Sequence, residues 1–387
     1  MLTGNVAWAD TAAALLPEAV SATTPTMPAV TVGGYVESYY AWNFGRPSNG
    51  ISNWRGFDNR HGAFTLSNVA LDTQAKQGPM QARLVLQAGQ APNTYYMLEP
   101  TANAASGVGA VDAATWRVIQ QANMGWKAPV GRGLLIESGV FLTTVGPESV
   151  PVKDSWNWSR STVFMALPAY HTGVKATYDA ADTLKLTAMI FDSWNSVSHA
   201  TEAPALGLQV NWLSGPLTCN LVYYGGKERA PATTLGEIAP WRSLFDGYVQ
   251  YDASTRLSLL AHADGGWEGG KDSVSSWFGA ALYARYKAAE WLYIVGRGDG
   301  FREKVGKGAT PIFWPNPNAD GVSVLGSGTL TLDARPTDNL SIRLEARRDL
   351  ANTNLYFRGS VAKSAAGADV PNADAQTTLT LGAVAWF

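Results

Sequence analysis

The chain has 387 residues, with 29 Lys plus Arg against 31 Asp plus Glu and a formal charge of −2. It carries neither the basic footprint of a nucleic-acid binder nor an acidic disordered tail. Charged residues are 16% of the total, against about a quarter in soluble globular proteins; a single cysteine, Cys219, excludes a disulfide framework and any CxxC metal or redox motif.

Residues 1–30 read as an Ala/Thr/Pro-rich flexible lead-in. Within it, Ala7-Trp8-Ala9 before Asp10 has the small-x-small form of a signal-peptide cleavage site. A truncated signal remnant over 1–9 and chance in an Ala-rich stretch both account for it. The longest unbroken apolar run is five residues, far short of the ~20 that a membrane-spanning helix needs. From Thr31 onward the recurring pattern is alternation, the period-two mark of strands with unlike faces. It predicts sixteen strands, over 31–42, 61–75, 80–90, 114–127, 132–145, 163–178, 183–194, 204–213, 216–226, 243–252, 255–264, 274–286, 290–302, 321–335, 339–349 and 373–387. Fourteen or eighteen strands are compatible with the same pattern.

In the eighth strand Leu206, Leu208, Val210 and Trp212 share one face and Gln209 and Asn211 the other. In the eleventh, Arg256, Ser258, His262 and Asp264 oppose Leu257, Leu259 and Ala261. In the fourteenth, Thr329, Thr331, Asp333 and Arg335 oppose Leu330 and Leu332; in the fifteenth, Arg343, Glu345 and Arg347 lie together. A soluble sandwich would also alternate. The connections decide between them. Seven tight turns, such as Gln77-Gly78-Pro79 and Ser214-Gly215, interleave with eight long segments, at 43–60, 91–113, 146–162, 195–203, 227–242, 265–273, 303–320 and 350–372. Short periplasmic turns, long extracellular loops and an even strand number describe an all-β, antiparallel up-and-down transmembrane barrel over 31–387. Aromatics near strand ends fit an interfacial belt: Tyr39, Tyr40, Trp42, Trp212, Tyr223, Trp291 and Phe387.

Three stretches carry a family resemblance. The first is Gly34-Tyr35-Val36-Glu37-Ser38-Tyr39-Tyr40-Ala41-Trp42-Asn43-Phe44 with Phe57-Asp58-Asn59-Arg60. The second is Glu148-Ser149-Val150 with Asp154-Ser155-Trp156-Asn157-Trp158-Ser159-Arg160-Ser161, and the third is Leu167-Pro168-Ala169-Tyr170-His171-Thr172-Gly173-Val174-Lys175. Together they resemble the OmpL-like β-barrel porin family of bacterial outer-membrane proteins. The resemblance implies a porin and names no solute. The last strand, with Leu379, Leu381, Ala383, Ala385 and Phe387 on one face, looks like the C-terminal signal strand that the barrel assembly machinery reads.

A barrel of this size encloses a lumen, and function then rests on inward side chains and on loops that narrow it. Parity places Glu37, Arg83, Gln87, Lys185, Asp246, Gln250, Arg285, Asp333, Arg335, Arg343, Glu345 and Arg347 inward. These charges form either a selectivity device or a satisfied salt-bridge lattice. By analogy with general porins, the third long loop, 146–162, folds inward as a constriction, or else caps the barrel from outside. Glu148 and Asp154 would give it an acidic side and Arg160 a local counter-charge. Arg83, Arg343 and Arg347 on the wall would face them and set a transverse field; alternatively, Trp156 and Trp158 pack the loop against the wall and give it rigidity without selectivity.

Enzyme motifs are lacking: GxxxxGK[ST], GxGxxG, HExxH and GxSxG are all missing, and the histidines are His61, His171, His199 and His262. His171 and His262 fall among lumen residues, and Cys219 alternates with Leu217 and Leu221 toward lipid. No catalytic residue, metal or cofactor is implied. The expected partners are outer-membrane lipids, the assembly machinery and small hydrophilic solutes or ions, with a homo-oligomer left open. The expected job is passive diffusion; the alternative is a non-conducting barrel serving as adhesin, anchor or scaffold.

Overall fold

The computed structural model describes residues 27–96, 99, 113–197, 203–228, 241–269, 274–306, 312 and 322–387. The signal remnant over 1–9, and the lead-in up to residue 26, lie outside the described residues. Sixteen strands follow one another: β1 Ala29–Asn43, β2 Phe64–Gln77, β3 Met80–Ala88, β4 Ile119–Ala128, β5 Leu134–Leu142, β6 Tyr170–Ala181, β7 Leu184–Phe191 and β8 Ala205–Ser214. The second half runs β9 Leu217–Lys227, β10 Trp241–Asp252, β11 Leu257–Gly269, β12 Val274–Ala289, β13 Leu292–Lys304, β14 Val322–Thr337, β15 Leu340–Ala351 and β16 Ala375–Trp386. Two short helices, α1 Gln90–Tyr95 and α2 Ala113–Trp116, belong to the loop between β3 and β4.

Each strand pairs antiparallel with its sequence neighbours, and β1 pairs with β16, so the sheet closes. In hydrocarbon an unpaired N–H or C=O has no partner, and closure removes the edges that would expose them. The seam is tight. Tyr35 sits opposite Trp386, and the Gly34 N–H donates to the Phe387 carbonyl at 3.1 Å while Phe387 N–H returns a bond of 3.1 Å. At the tight turns Gly78 and Gly215 take φ of +55° and +56°, a left-handed conformation that a residue with a Cβ resists.

The two faces invert the pattern of a water-soluble protein. Outward residues are large and apolar, with Leu221 60%, Phe278 59% and Leu282 66% exposed, whereas inward Thr331, Arg343 and Glu345 are buried. An apolar surface of this extent marks contact with a membrane or another protein. Tyr40, Trp42, Trp212, Tyr223, Trp291 and Phe387 lie outward or at strand ends. Tyr39 does not. It faces the lumen, 2% exposed, with its ring 6.1 Å from that of Trp158; parity on β1 puts it beside Tyr35 and Glu37, away from the belt.

The sixth strand also differs from its expected bounds. Val163–Leu167 is not part of it, because Phe164–Ala166 forms a 3-10 turn and β6 starts at Tyr170. Pro168 has no N–H for a ladder, and the run is apolar on both sides because it packs inside the barrel. His171 faces the lumen, where it stacks on Phe191 with ring centroids 4.2 Å apart and lies 3.1 Å from the Thr143 hydroxyl.

Candidate functional site

Residues 143–169, between β5 and β6, turn into the barrel and are buried over most of their length. We call this segment L3. A loop in the interior brings backbone groups that must find partners, and the strands have already used theirs in the ladder. Wall side chains supply them instead, carboxylates taking N–H groups and arginines giving to carbonyls. Glu37 on β1 accepts from Val152 N–H at 2.6 Å, and Asp246 on β10 from Gly146 N–H at 2.9 Å. Asp299 on β13 accepts from Thr162 N–H at 2.8 Å. Glu345 on β15 accepts from Trp158 and Ser159 N–H at 2.7 and 3.0 Å.

The basic half of the lattice mirrors this. Arg343 donates to the Val152 and Asn157 carbonyls at 3.1 and 2.9 Å, and Arg347 to the Arg160 carbonyl. Arg297 donates to the Ser159 carbonyl at 2.6 Å and to Glu148 at 3.2 Å, while its Nε meets Asp299 at 3.0 Å. Glu148 also accepts from Ser161 N–H at 3.0 Å. Charge-assisted bonds of this kind are the stronger class, and here they pin one loop to β1, β10, β13 and β15.

The two tryptophans pack L3 sideways. Trp158 is buried against β16 at Gly382, where any Cβ would collide with the indole. Trp156 meets Tyr283 edge-on at 6.2 Å and lies under Arg285 at 4.8 Å. Between L3 and β10–β12, a cavity of about 100 Å3 is lined by Glu148, Asp154, Trp156, Tyr248, Gln250 and Tyr283.

The loop between β1 and β2 (L1) packs onto L3 from the long-loop end of the barrel. Its Phe57 lies beneath Arg160 at 4.9 Å and meets Phe164 at 5.7 Å. Arg160 spends its donors inside L3, on the Ser149 and Trp158 carbonyls at 2.8 and 2.6 Å. Arg55 of L1 pairs with Asp58 and reaches Asp349 on β15 at 3.2 Å. Burial alone would push the Asp58 carboxyl up, but Arg55 beside it holds it below the ordinary 3.8. L3 also joins an apolar cluster in the lumen, in which Phe191, Leu244, Trp277 and Phe301 from the wall meet Leu167 of L3 and Trp54, Trp194 and Leu355 from other loops.

The wall of β2–β7, toward the short turns, is different. Its inward ion pairs, Arg83–Asp72 at 2.6 Å, Lys175–Glu137 at 3.0 Å and Lys185–Asp179 at 3.6 Å, stay part-exposed. The predicted transverse field between an acidic L3 and basic Arg343 and Arg347 is therefore not what is observed. Both arginines bond to L3 itself, Glu148 is held by Arg297 and Ser161, and exposed Asp154 pairs with Lys153 at 2.8 Å. Arg83 pairs with Asp72 on the other wall. Asp333 accepts from Arg335 at 2.9 Å and lies 3.5 Å from Arg343. Arg297 and Asp299 escaped the sequence reading. They alternate in Gly296-Arg297-Gly298-Asp299-Gly300, and glycine has no side chain to mark the lipid face.

A family model described as "Putative beta-barrel porin-2, OmpL-like" matches residues 29–387. No curated protein sequence matches. Three solved structures share the barrel. In-vitro folded OmpT, an outer membrane protein of Vibrio cholerae, in its trimer form, is 12% identical with a TM-score of 0.57, over 94% of this chain and 100% of that one. An anion-selective porin from Comamonas acidovorans is 13% identical with a TM-score of 0.57, over 93% and 100%. The outer membrane channel DcaP of Acinetobacter baumannii is 10% identical with a TM-score of 0.57, over 93% and 98%. At these identities the likeness is one of fold.

Proposed function

The chain belongs to the OmpL-like β-barrel porin-2 family and resides in the bacterial outer membrane, and from that premise we propose passive diffusion of ions and small hydrophilic solutes along its lumen, filtered by L3. The observation that carries this reading is the asymmetry of the lumen. One wall is bonded to an inward-folded L3, and the facing wall keeps part-exposed ion pairs. A path between them runs past Arg83, Lys175 and Lys185 rather than past Arg343 and Arg347. Lipids cover the outward face, the assembly machinery reads the strand ending in Phe387, and a trimer like that of the Vibrio protein is the expected assembly.

The apolar cluster that L3 shares with the wall and other loops favours a second reading, a barrel closed at rest that serves as anchor or scaffold. Planar-bilayer recording separates the two. Stable ion-conducting steps from the purified, folded protein support the channel; persistent silence under applied voltage sinks it in favour of the scaffold.

A further inference from the structure

We propose that strands β12–β15 and the adjoining edge of L3 form a binding site for a small carboxylate, built from Arg285, Arg335 and Arg343. The site borders the proposed conducting path through part-exposed Arg285 and Arg335, with Arg343 buried behind them, and rests on that reading.

The cross-strand pairs Tyr293–Asp333 and Asp333–Arg343 place β13, β14 and β15 on one rung. Arg285 reaches this rung from β12. Its guanidinium lies 5.2 Å from the Tyr293 ring centroid and 4.8 Å from that of Trp156, and Arg335 lies 5.2 Å from the same Tyr293 ring. Two cations sharing one ring are thus within about 10 Å of each other, inside the ~10 Å over which salt screens exposed charges.

The local charge does not balance. Asp333 is the carboxylate in contact, at 2.9 Å from Arg335 and 3.5 Å from Arg343. Arg285 has no hydrogen bond or ion pair among the described residues. The Arg343 side chain is fully buried, and its Nη2 has no hydrogen-bond partner. Elsewhere on the inner wall several cations each have an acid: Arg83 with Asp72, Lys175 with Glu137, Arg242 with Glu268, and Arg347 with Asp349. Glu345 and Asp252 are the next carboxylates, but Glu345 is taken up by the Trp158 and Ser159 N–H groups and Asp252 by the Ser258 hydroxyl. Arg335 and Arg343 thus share Asp333 while Arg285 contacts no acid, in a partly dehydrated place where uncompensated charge is costly.

A carboxylate compensates that charge and matches the planar donor fork of arginine, accepting two parallel N–H bonds. Trp156 and Tyr293 cover the faces of Arg285, which keeps its N–H edge as the part offered to the lumen. Arg335 and Arg285 are both part-exposed. Arg343 adds charge from behind while it holds L3.

The test is isothermal titration of the folded protein in detergent with sodium benzoate, a carboxylate whose flat ring can contact Trp156 and Tyr293. Saturable binding is expected, weakened at least tenfold in Arg285→Gln and unchanged in Lys363→Gln, which alters an external-loop ion pair. Heat-modifiable mobility on gels verifies that each variant is folded, and Arg335→Gln gives a second measure should Arg285→Gln misfold. Equal affinity in wild type and Arg285→Gln overturns the site, as does no heat from benzoate or inorganic phosphate. Because this readout needs no conduction, benzoate binding with a silent bilayer overturns only the channel, and conductance without binding overturns only the site.

Discussion

The inner wall of the barrel carries alternating charges on both sides, yet the two sides do different physical work. On β13–β15, Arg297, Asp299, Arg343, Glu345 and Arg347 sit beneath L3 as a buried lattice; Arg297 is 4% and Glu345 1% exposed. On β2–β7, Arg83 and Lys185 keep 39% and 55% of their side chains exposed although each has a carboxylate partner. Alternation alone says that a charge points inward. Whether it anchors a loop or lines a wet surface depends on whether a second piece of chain covers it.

Substitution can break this contrast, and the largest effect should come from the covered wall. Arg297→Ala leaves Glu148 and Asp299 buried without their cation, which costs about 3–5 kcal/mol for a buried pair. Urea unfolding of the folded barrel reads this directly, and a loss near zero would show that the lattice does not hold L3. An intermediate effect belongs to L1. Asp58 has its carboxyl lowered by Arg55, so its contribution is fully present above the ordinary value of 3.8 and is lost as pH falls through the lower folded value. Stability should therefore drop on acidification from about pH 5 to pH 2 in the wild type and drop less in Asp58→Asn. Parallel curves would show that the Arg55–Asp58 pair does not hold L1. The smallest stability effect falls on the wet wall: Arg83→Gln should change unfolding by about 0–1 kcal/mol, as exposed pairs do. It should still move the reversal potential in a salt gradient toward cation preference. An unmoved potential would place Arg83 outside the path.

Much of the frame was legible in the sequence because a barrel in lipid obeys strict local rules. All sixteen predicted strands have an observed counterpart, since each crosses with the same two-faced alternation and each turn is marked by glycine, proline or a short polar step. Three boundaries failed: 114–116 belongs to α2, 265–269 continues β11, and 163–169 failed because an apolar run inside the lumen looks like an apolar run facing lipid. Tyr39 failed in the same way: an aromatic near a strand end suits an interface, and it also suits a seat for Trp158. The site was legible only as a set. Glu148, Arg160, Arg343, Glu345 and Arg347 do meet L3 or belong to it, but their partners are its backbone amides and carbonyls, and a sequence cannot show which wall a loop's backbone will reach.

From the residues alone came closure, a strand count near sixteen and the direction of most side chains, because hydrocarbon permits one answer to unpaired amides and alternation has a period of two. Tertiary structure alone decided which inward charges are consumed. L3 crosses more than a hundred residues of separation to meet Glu37 and Asp299, and only that crossing leaves Arg285 with aromatic neighbours and no acid of its own.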